Sequence, residues 1–325
     1  MNKPFFSVVI TTYNRYNFLE KAINSVLNQT INDYEIIVID DNKTPNKMFY
    51  EEFSEAKVFY TGGKTGCSNA RNCGICNSQG NYIAFLDDDD IWHPDRLKCA
   101  HSVLKNKQVK LFVNSFLTDF DVAKRIILKN NKVKNNLKQN QLFLDQLVPT
   151  SAFIVRKDIL LDPICFDINL PAREDYDFLL QIVNILNIKQ EIEICLKPLT
   201  YLRREKIKRS SVSSSCKNNI YGTAMIYHKI KKTKKLNKNT LKKVRASHQK
   251  NIGLMALHLE NTKIGRRFIY QSNCNNFKFS TSIIFLLSFL PFFWHKFYLI
   301  NSCINYKKIN YDYWIEKKYY SSEDV

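Results

Sequence analysis

The sequence lacks several features that would have placed it in a familiar class. No apolar run approaches the ~20 residues a bilayer-spanning helix needs. The longest, Ile283 to Trp294, is broken by Pro291. No glycine stands in "ITTYNR" near the N-terminus, so the phosphate loop expected of a nucleotidyltransferase is missing. The 6 histidines show no metal-ligand spacing, and no internal repeat is visible. The 9 cysteines are odd in number and scattered, which excludes a small secreted disulfide framework and leads us to expect reduced thiols in a cytosolic compartment. Cys73 and Cys76 read C-G-I-C, but they lie inside a predicted helix, away from the exposed helix N-terminus a reactive pair needs. Cys67 and Cys99 are poorly spaced for zinc. No small-residue cleavage site follows the short apolar run Phe5 to Ile10, so no signal peptide is expected.

Acid is also scarce. Against 49 Lys and Arg stand 30 Asp and Glu, a formal charge of +19. Such an excess favours partners that carry phosphate, namely nucleic acid, an anionic membrane or a diphosphate substrate, or it simply reflects a composition rich in Lys, Asn and Ile. With 45% hydrophobic and 13% aromatic residues in 325, most of the chain must fold around a core, as one large domain or two smaller ones.

The first hundred residues alternate strand and helix signals. "FFSVVITT" and "YEIIVIDDN" are apolar β-rich runs with polar ends, the pattern of strands buried on both faces. Between them "NFLEKAINSVLNQT" repeats apolar residues at helical spacing. "KVFYTGGKTGCSNARNCGICNSQG" reads as strand, glycine loop and helix, and "NYIAFLDDDD" as another strand. This predicts an α/β fold with a mostly parallel sheet. Ligands of such sheets bind at the carboxyl ends of the strands. Thr11, Thr12 and Tyr13, then Asp40 and Asp41, then Asp87 to Asp90 all fall at those ends. Beyond Lys110 the pattern changes to strands and turns, and "REDYDFLLQIVNIL" is an amphipathic helix with Glu174 and Asp175 in its first turn, where acids suit the helix dipole.

Four consecutive aspartates after a buried strand need an opposing positive charge. A divalent metal, an arginine cluster and solvent are the possible partners. Metal is the expectation, because Asp87 and Asp89, one residue apart, can share a hard cation that also binds diphosphate oxygens. Other readings stay open: Asp41 as a turn former, Glu174 and Asp175 as helix-start acids, Arg71 as a surface partner of an aspartate, and Trp92 as a packing anchor rather than a sugar platform.

"SVVITTYNR", "EIIVIDDN", "GCSNARNCGI", "YIAFLDDDDIWHPDRL" and "REDYDFLL" resemble, in order and spacing, the motifs of family 2 glycosyltransferases, inverting enzymes of the GT-A fold. The resemblance covers about Phe6 to Arg204. It implies that Thr11 and Tyr13 line a nucleotide pocket, with Tyr13 against uracil, and that Asp41 hydrogen-bonds the base. Arg71 would lie near the pyrophosphate and donor sugar, Asp88 near the ribose, and Asp87 and Asp89 would hold Mn²⁺ or Mg²⁺, with Asp89 the more direct ligand. Asp175 would be the catalytic base. Asp88 departs from the family, many of whose members carry Ser or Ala there. The implied activity is transfer of a hexose, glucose or galactose before an N-acetylhexosamine, from a UDP-sugar to a lipid-diphosphate-linked sugar in O-antigen, lipopolysaccharide or capsule synthesis.

Three parts are expected: 1–105 as the nucleotide-sugar half, 106–204 as the acceptor half, and 205–325 as a basic, partly apolar helical extension. That extension would lie on the anionic inner surface of the cell membrane through its Lys-rich run, Lys229 to Lys250, and the 281–300 segment. Arg203, Arg204 and Arg209 would either close over a diphosphate or stay solvated. Rival readings are a metal-dependent nucleotidyltransferase and a basic nucleic-acid-binding protein. The second lacks a reader motif, so no specific nucleic acid is expected.

Overall fold

The computed structural model describes residues 3–105, 108–118, 148–160, 164–187, 190–203, 216–233, 236–258 and 261–288. Arg204, Arg209 and the 289–300 part of the apolar segment lie outside them.

An eight-stranded sheet runs in the order β3-β2-β1-β4-β7-β6-β8-β5. Its first half is β1 (Phe6–Thr12), β2 (Tyr34–Asp40), β3 (Ala56–Tyr60) and β4 (Tyr82–Asp87), all parallel. Helices α1 (Tyr16–Leu27), α2 (Lys47–Glu51) and α3 (Cys67–Asn77) connect these strands. Every residue of β1 is buried, which is why its sequence runs apolar instead of alternating. Leu19, Ala22, Ile23 and Val26 of α1 fall on one face and are buried with Val8, Ile10, Ile36 and Val38. Each of these Leu, Ile and Val side chains contributes about 1.5–3 kcal/mol on leaving water.

The register sets the functional edge. Thr12 pairs with Asp40 across β1 and β2, and Thr11 with Asp87 across β1 and β4. The polar ends of three strands therefore finish level at one rim.

The second half mixes directions. β7 (Phe153–Arg156) is antiparallel to β4 and to β6 (Leu111–Thr118), while β8 (Ile192–Leu202) runs parallel to β6. The last aspartate of the run opens a short strand: β5 (Asp90–Trp92) pairs antiparallel with β8. Neither β5 nor β8 stands out in the sequence. Helix α4 (Arg96–Leu104) follows β5, and α5 (Glu174–Ile185) covers β7 and β6 through Phe178, Leu179, Ile182 and Val183.

After β8 come α6 (Cys216–Lys232), α7 (Lys238–His258), α8 (Thr262–Asn275) and α9 (Phe279–Leu287). Leu170, Tyr176 and Leu180 at α5 share a buried cluster with Ile226 and Ile230 of α6 and Val244 of α7. The start of the C-terminal extension is thus packed onto the sheet's own helix layer. Lys229, the first residue of the Lys-rich run, is held there by Asp167 and Asp177. No helix among the described residues is long and apolar enough to cross a membrane.

Candidate active site

The aspartate run splits into two kinds of carboxylate. Asp88 is 1% exposed and turned inward: it accepts from Thr12 Oγ1 at 2.8 Å and pairs with Arg15, whose Nη2 lies 2.5 Å away. Burial pushes its carboxyl up, and Arg15 pulls against that shift. Asp90 is also buried, accepting from Ser151 Oγ at 2.6 Å. Asp87 and Asp89 keep part of their side chains open to the cleft. Asp89 pairs with Arg15 at 3.0 Å and Asp87 with Arg71 at 2.7 Å. Two arginines thus lie opposite the run in this structure.

The floor beneath the run is rigid. Ser151 Oγ accepts from the Asp87 amide at 3.0 Å while its carbonyl accepts from Trp92 Nε1 at 3.0 Å and Thr200 Oγ1 at 3.1 Å. Trp92 is fully buried, with the Arg96 guanidinium 3.9 Å over its ring, so it is a packing anchor and not a sugar platform. Sequence reasoning overlooked Ser151, which lies 64 residues from Asp87.

Asp41 anchors the loop between β3 and α3. Its carboxylate accepts from Thr61 Oγ1, from the Thr65 amide and hydroxyl at 2.9 and 2.7 Å, and from the Gly66 amide at 2.9 Å. Burial alone would raise its pKa, but these donors outweigh burial and hold it below the usual range. Gly66 takes φ 90° at the start of α3, a conformation costly for any residue with a Cβ. Thr11 is buried beside this rim, and Tyr13 is 38% exposed upon it.

Beneath Asp41, Asp40 is fully buried and accepts from Tyr16 Oη at 2.9 Å and Tyr50 Oη at 2.7 Å. Burial first, then Asp40, drives the Tyr50 hydroxyl pKa well above its ordinary value. Tyr50→Phe is expected to cost about 2 kcal/mol, the worth of a hydrogen bond to a charged group. A urea titration would read this as a lower midpoint with an unchanged slope.

Arg71 joins the two halves of the cleft. It is 5% exposed, donating from Nη2 to Asp87 and from Nη1 to Glu174 Oε1 at 3.1 Å, with its guanidinium 5.2 Å from the Phe166 ring centre. Cys67 also donates to Glu174, at 3.1 Å, and burial raises its thiol to about 12. That leaves no reactive thiolate here. Cys67, Cys73, Cys76 and Cys99 are all free thiols. Arg203 lies 5.1 Å over the Phe18 ring.

Asp175 follows Glu174 in the first turn of α5 and accepts from the Tyr176 amide at 2.7 Å. Burial, and then the Glu174 charge, raise its carboxyl to about 7, with Arg71 opposing. Arg173, just before, sits at φ 67° and ψ 28°, a left-handed conformation that costs a non-glycine residue about 1–2 kcal/mol.

Could Asp87 and Asp89 hold a divalent ion? They supply hard, partly open carboxylate oxygens. Among the described residues no group of three or more His, Cys, Asp or Glu could hold a metal alone. A Mg²⁺-type site built from one or two carboxylates and substrate phosphate oxygens needs no third acid, so the residues fit.

A mostly parallel sheet whose strand tips carry acids paired to Arg15 and Arg71, facing a carboxylate on a separate helix, has the GT-A architecture. Residues 7–162 match Glycosyl transferase family 2, and the chain carries a glycosyltransferase domain of that family. It is 27% identical over 195 residues to the Escherichia coli UDP-Glc:alpha-D-GlcNAc-diphosphoundecaprenol beta-1,3-glucosyltransferase WfgD, covering 58% of this chain and 73% of that one. Staphylococcus aureus TarS 1–349 in complex with UDP-GlcNAc superposes with a TM-score of 0.60 over 91% of this chain and 89% of TarS, at 18% identity. The Pyrobaculum calidifontis mannosyltransferase PcManGT, in complex with GDP-Man and Mn²⁺, gives 0.56 over 94% and 87%, at 14% identity. The chain spans 36% and 63% of two rickettsial glycosyltransferases to which it is 29% and 26% identical.

Proposed function

We propose that the chain is an inverting hexosyltransferase. It moves glucose or galactose from a UDP-sugar to a hydroxyl of a lipid-diphosphate-linked sugar during bacterial surface polysaccharide synthesis. The observation that carries this reading is the Arg71 bridge, which ties Asp87 at the donor rim to Glu174 beside Asp175. WfgD, with its UDP-glucose donor and diphosphoundecaprenol acceptor, supports the choice of substrates.

In this mechanism Thr11, Tyr13 and the Asp41-anchored loop receive the nucleotide, with Tyr13 against the base. Asp88 acts at the ribose edge chiefly through Arg15, which it holds. Asp175 takes the proton of the acceptor hydroxyl as that oxygen attacks the anomeric carbon from the face opposite the diphosphate. Arg71, kept charged by two carboxylates, faces the departing diphosphate. Asp87 and Asp89 would hold Mn²⁺ or Mg²⁺, which when bound neutralises charge on the leaving phosphate. One displacement inverts the anomeric centre and needs no covalent sugar intermediate.

The protein would work as a peripheral protein on the cytoplasmic face of the membrane. Tyr270, Phe277 and Leu286 are exposed on α8, α9 and the link between them, beside Lys263, Arg267 and Lys278, with no acid from 261 to 288. That combination suits an anionic headgroup layer.

The test is a panel of UDP-sugars with Mn²⁺ and synthetic lipid-diphosphate sugars, with NMR of the product. Transfer that inverts the anomeric centre and disappears on chelation is expected. Retention, or full activity in EDTA, would overturn the reading. A pH dependence follows from the same site. Asp175 must be ionised to accept a proton, so kcat/KM should climb about tenfold per pH unit below pH ~7 and level off above it. The sign for stability is the reverse. A carboxyl whose pKa is raised on folding contributes stability below about pH 4 that is lost as pH rises through about 7.

A further inference from the structure

The helices after β8 meet the turn before Asp175 at several independent points. Gly222 of α6 lies so close to the Ala172 carbonyl that a methyl group there would overlap the oxygen. Lys229 Nζ lies 2.7 Å from Asp167, ahead of the turn, and 2.7 Å from Asp177, just past it. Asn219 Oδ1 accepts from Arg173 Nε at 3.3 Å, and His248 of α7 meets Tyr176 Oη at 3.2 Å. Ile226 and Ile230 close over Leu170, Tyr176 and Leu180. These contacts bracket Arg173, the left-handed residue at the mouth of α5.

A strained backbone persists only where its surroundings over-determine it. The donor half holds Glu174 through Arg71 and Cys67, and α6 adds a close backbone contact, an ion bridge across the turn and an apolar cap. We propose that α6 is a positioning element of the reaction: Gly222 and Lys229 lock the Arg173 turn and thereby fix where the Asp175 carboxylate stands. The proposal rests on Asp175 being the base and gives the extension a catalytic purpose separate from membrane contact. Neither Gly222 nor Lys229 touches substrate; both act through the turn.

Gly222→Ala and Lys229→Met are compared with Lys229→Arg, and with Lys232→Met, an exposed control on the same helix. Wild-type transfer on the donor panel is measured first, because its absence would defeat the functional reading and not this one. The two test variants should bind UDP with Mn²⁺ within about two-fold of wild type, yet lose about 10- to 100-fold in kcat. The acid limb of their kcat–pH profile should move, since a displaced Asp175 would titrate in a different environment. Amide exchange in 168–177 should accelerate, with 6–12 unchanged. Lys229→Arg should recover most of the rate, and Lys232→Met should lose none. Should Gly222→Ala fail to fold, Lys229→Met decides. A folded Lys229→Met protein with kcat within about two-fold of wild type, an unmoved pH limb or unchanged exchange in 168–177 overturns the proposal. The exchange measurement needs no substrate, so it reads the lock even without turnover.

Discussion

Asp175→Asn is expected to lower kcat by about 10³-fold, within the range a positioned general base supplies, and to leave UDP affinity in Mn²⁺ almost unchanged. The substitution keeps shape and volume, so it opens no cavity and leaves the first turn of α5 intact. Only the proton acceptor is lost. Glu174 cannot replace it, because Glu174 already accepts from both Arg71 and Cys67. A second signature separates this from general damage. Burial and the neighbouring Glu174 charge make the ionised Asp175 unfavourable in the fold, as its pKa of about 7 records. The neutral amide should therefore match or exceed wild-type thermal stability at pH 8, where the wild-type group is charged, and gain nothing at pH ~3, where the carboxyl is protonated both folded and unfolded. Single-turnover assays, UDP calorimetry and melts at the two pH values test all three. A kcat within about tenfold of wild type would remove Asp175 from the role of base.

Much of this was legible in the amino-acid order because it is local. The strand–helix alternation up to Asp87 and the amphipathic helix opening at Glu174 both follow from residues a few positions apart. So did the convergence of Thr11, Asp40 and Asp87, since parallel strands of similar length end level. What escaped was long-range. Arg15 reaches Asp88 across 73 residues, Arg71 reaches Glu174 across 103, and Ser151 supports Asp87 across 64. None of these pairs leaves a periodic trace, and each partner read singly is an ordinary polar residue. β5 has only three residues and opens on the last of the four acids, too short to stand out before it pairs with β8. Asp41 shows the opposite problem. Its type and place at a strand end suit a base-binding carboxylate, yet its oxygens already hold the Thr61–Gly66 loop. A carboxylate so occupied shapes a pocket as much as it recognises what enters it.

Arg71→Met should have the second large effect, and a mixed one. Buried beneath the cleft, Arg71 is the cation common to Asp87 and Glu174; the methionine would fill much of its volume but leave both carboxylates facing the gap. Breaking a buried pair costs about 3–5 kcal/mol, and because Asp87 retains 28% of its side-chain surface, the lower end applies. At about 3 kcal/mol the melting temperature of a 325-residue chain should fall by roughly 4–5 °C. Activity should fall further than instability explains, since the variant stays folded at 25 °C and yet has lost the charge facing the leaving diphosphate. Arg71→Lys separates the two consequences. A lysine restores positive charge but cannot span two carboxylates with a planar fork, so it should recover much of the melting temperature and little of the rate. Arg71 ties Asp87 to Glu174 through one planar guanidinium, so charge alone should not hold the donor rim in register with Asp175. If Arg71→Lys recovered rate and stability in equal measure, the fork would have no part in that register and Arg71 would be a counter-ion only.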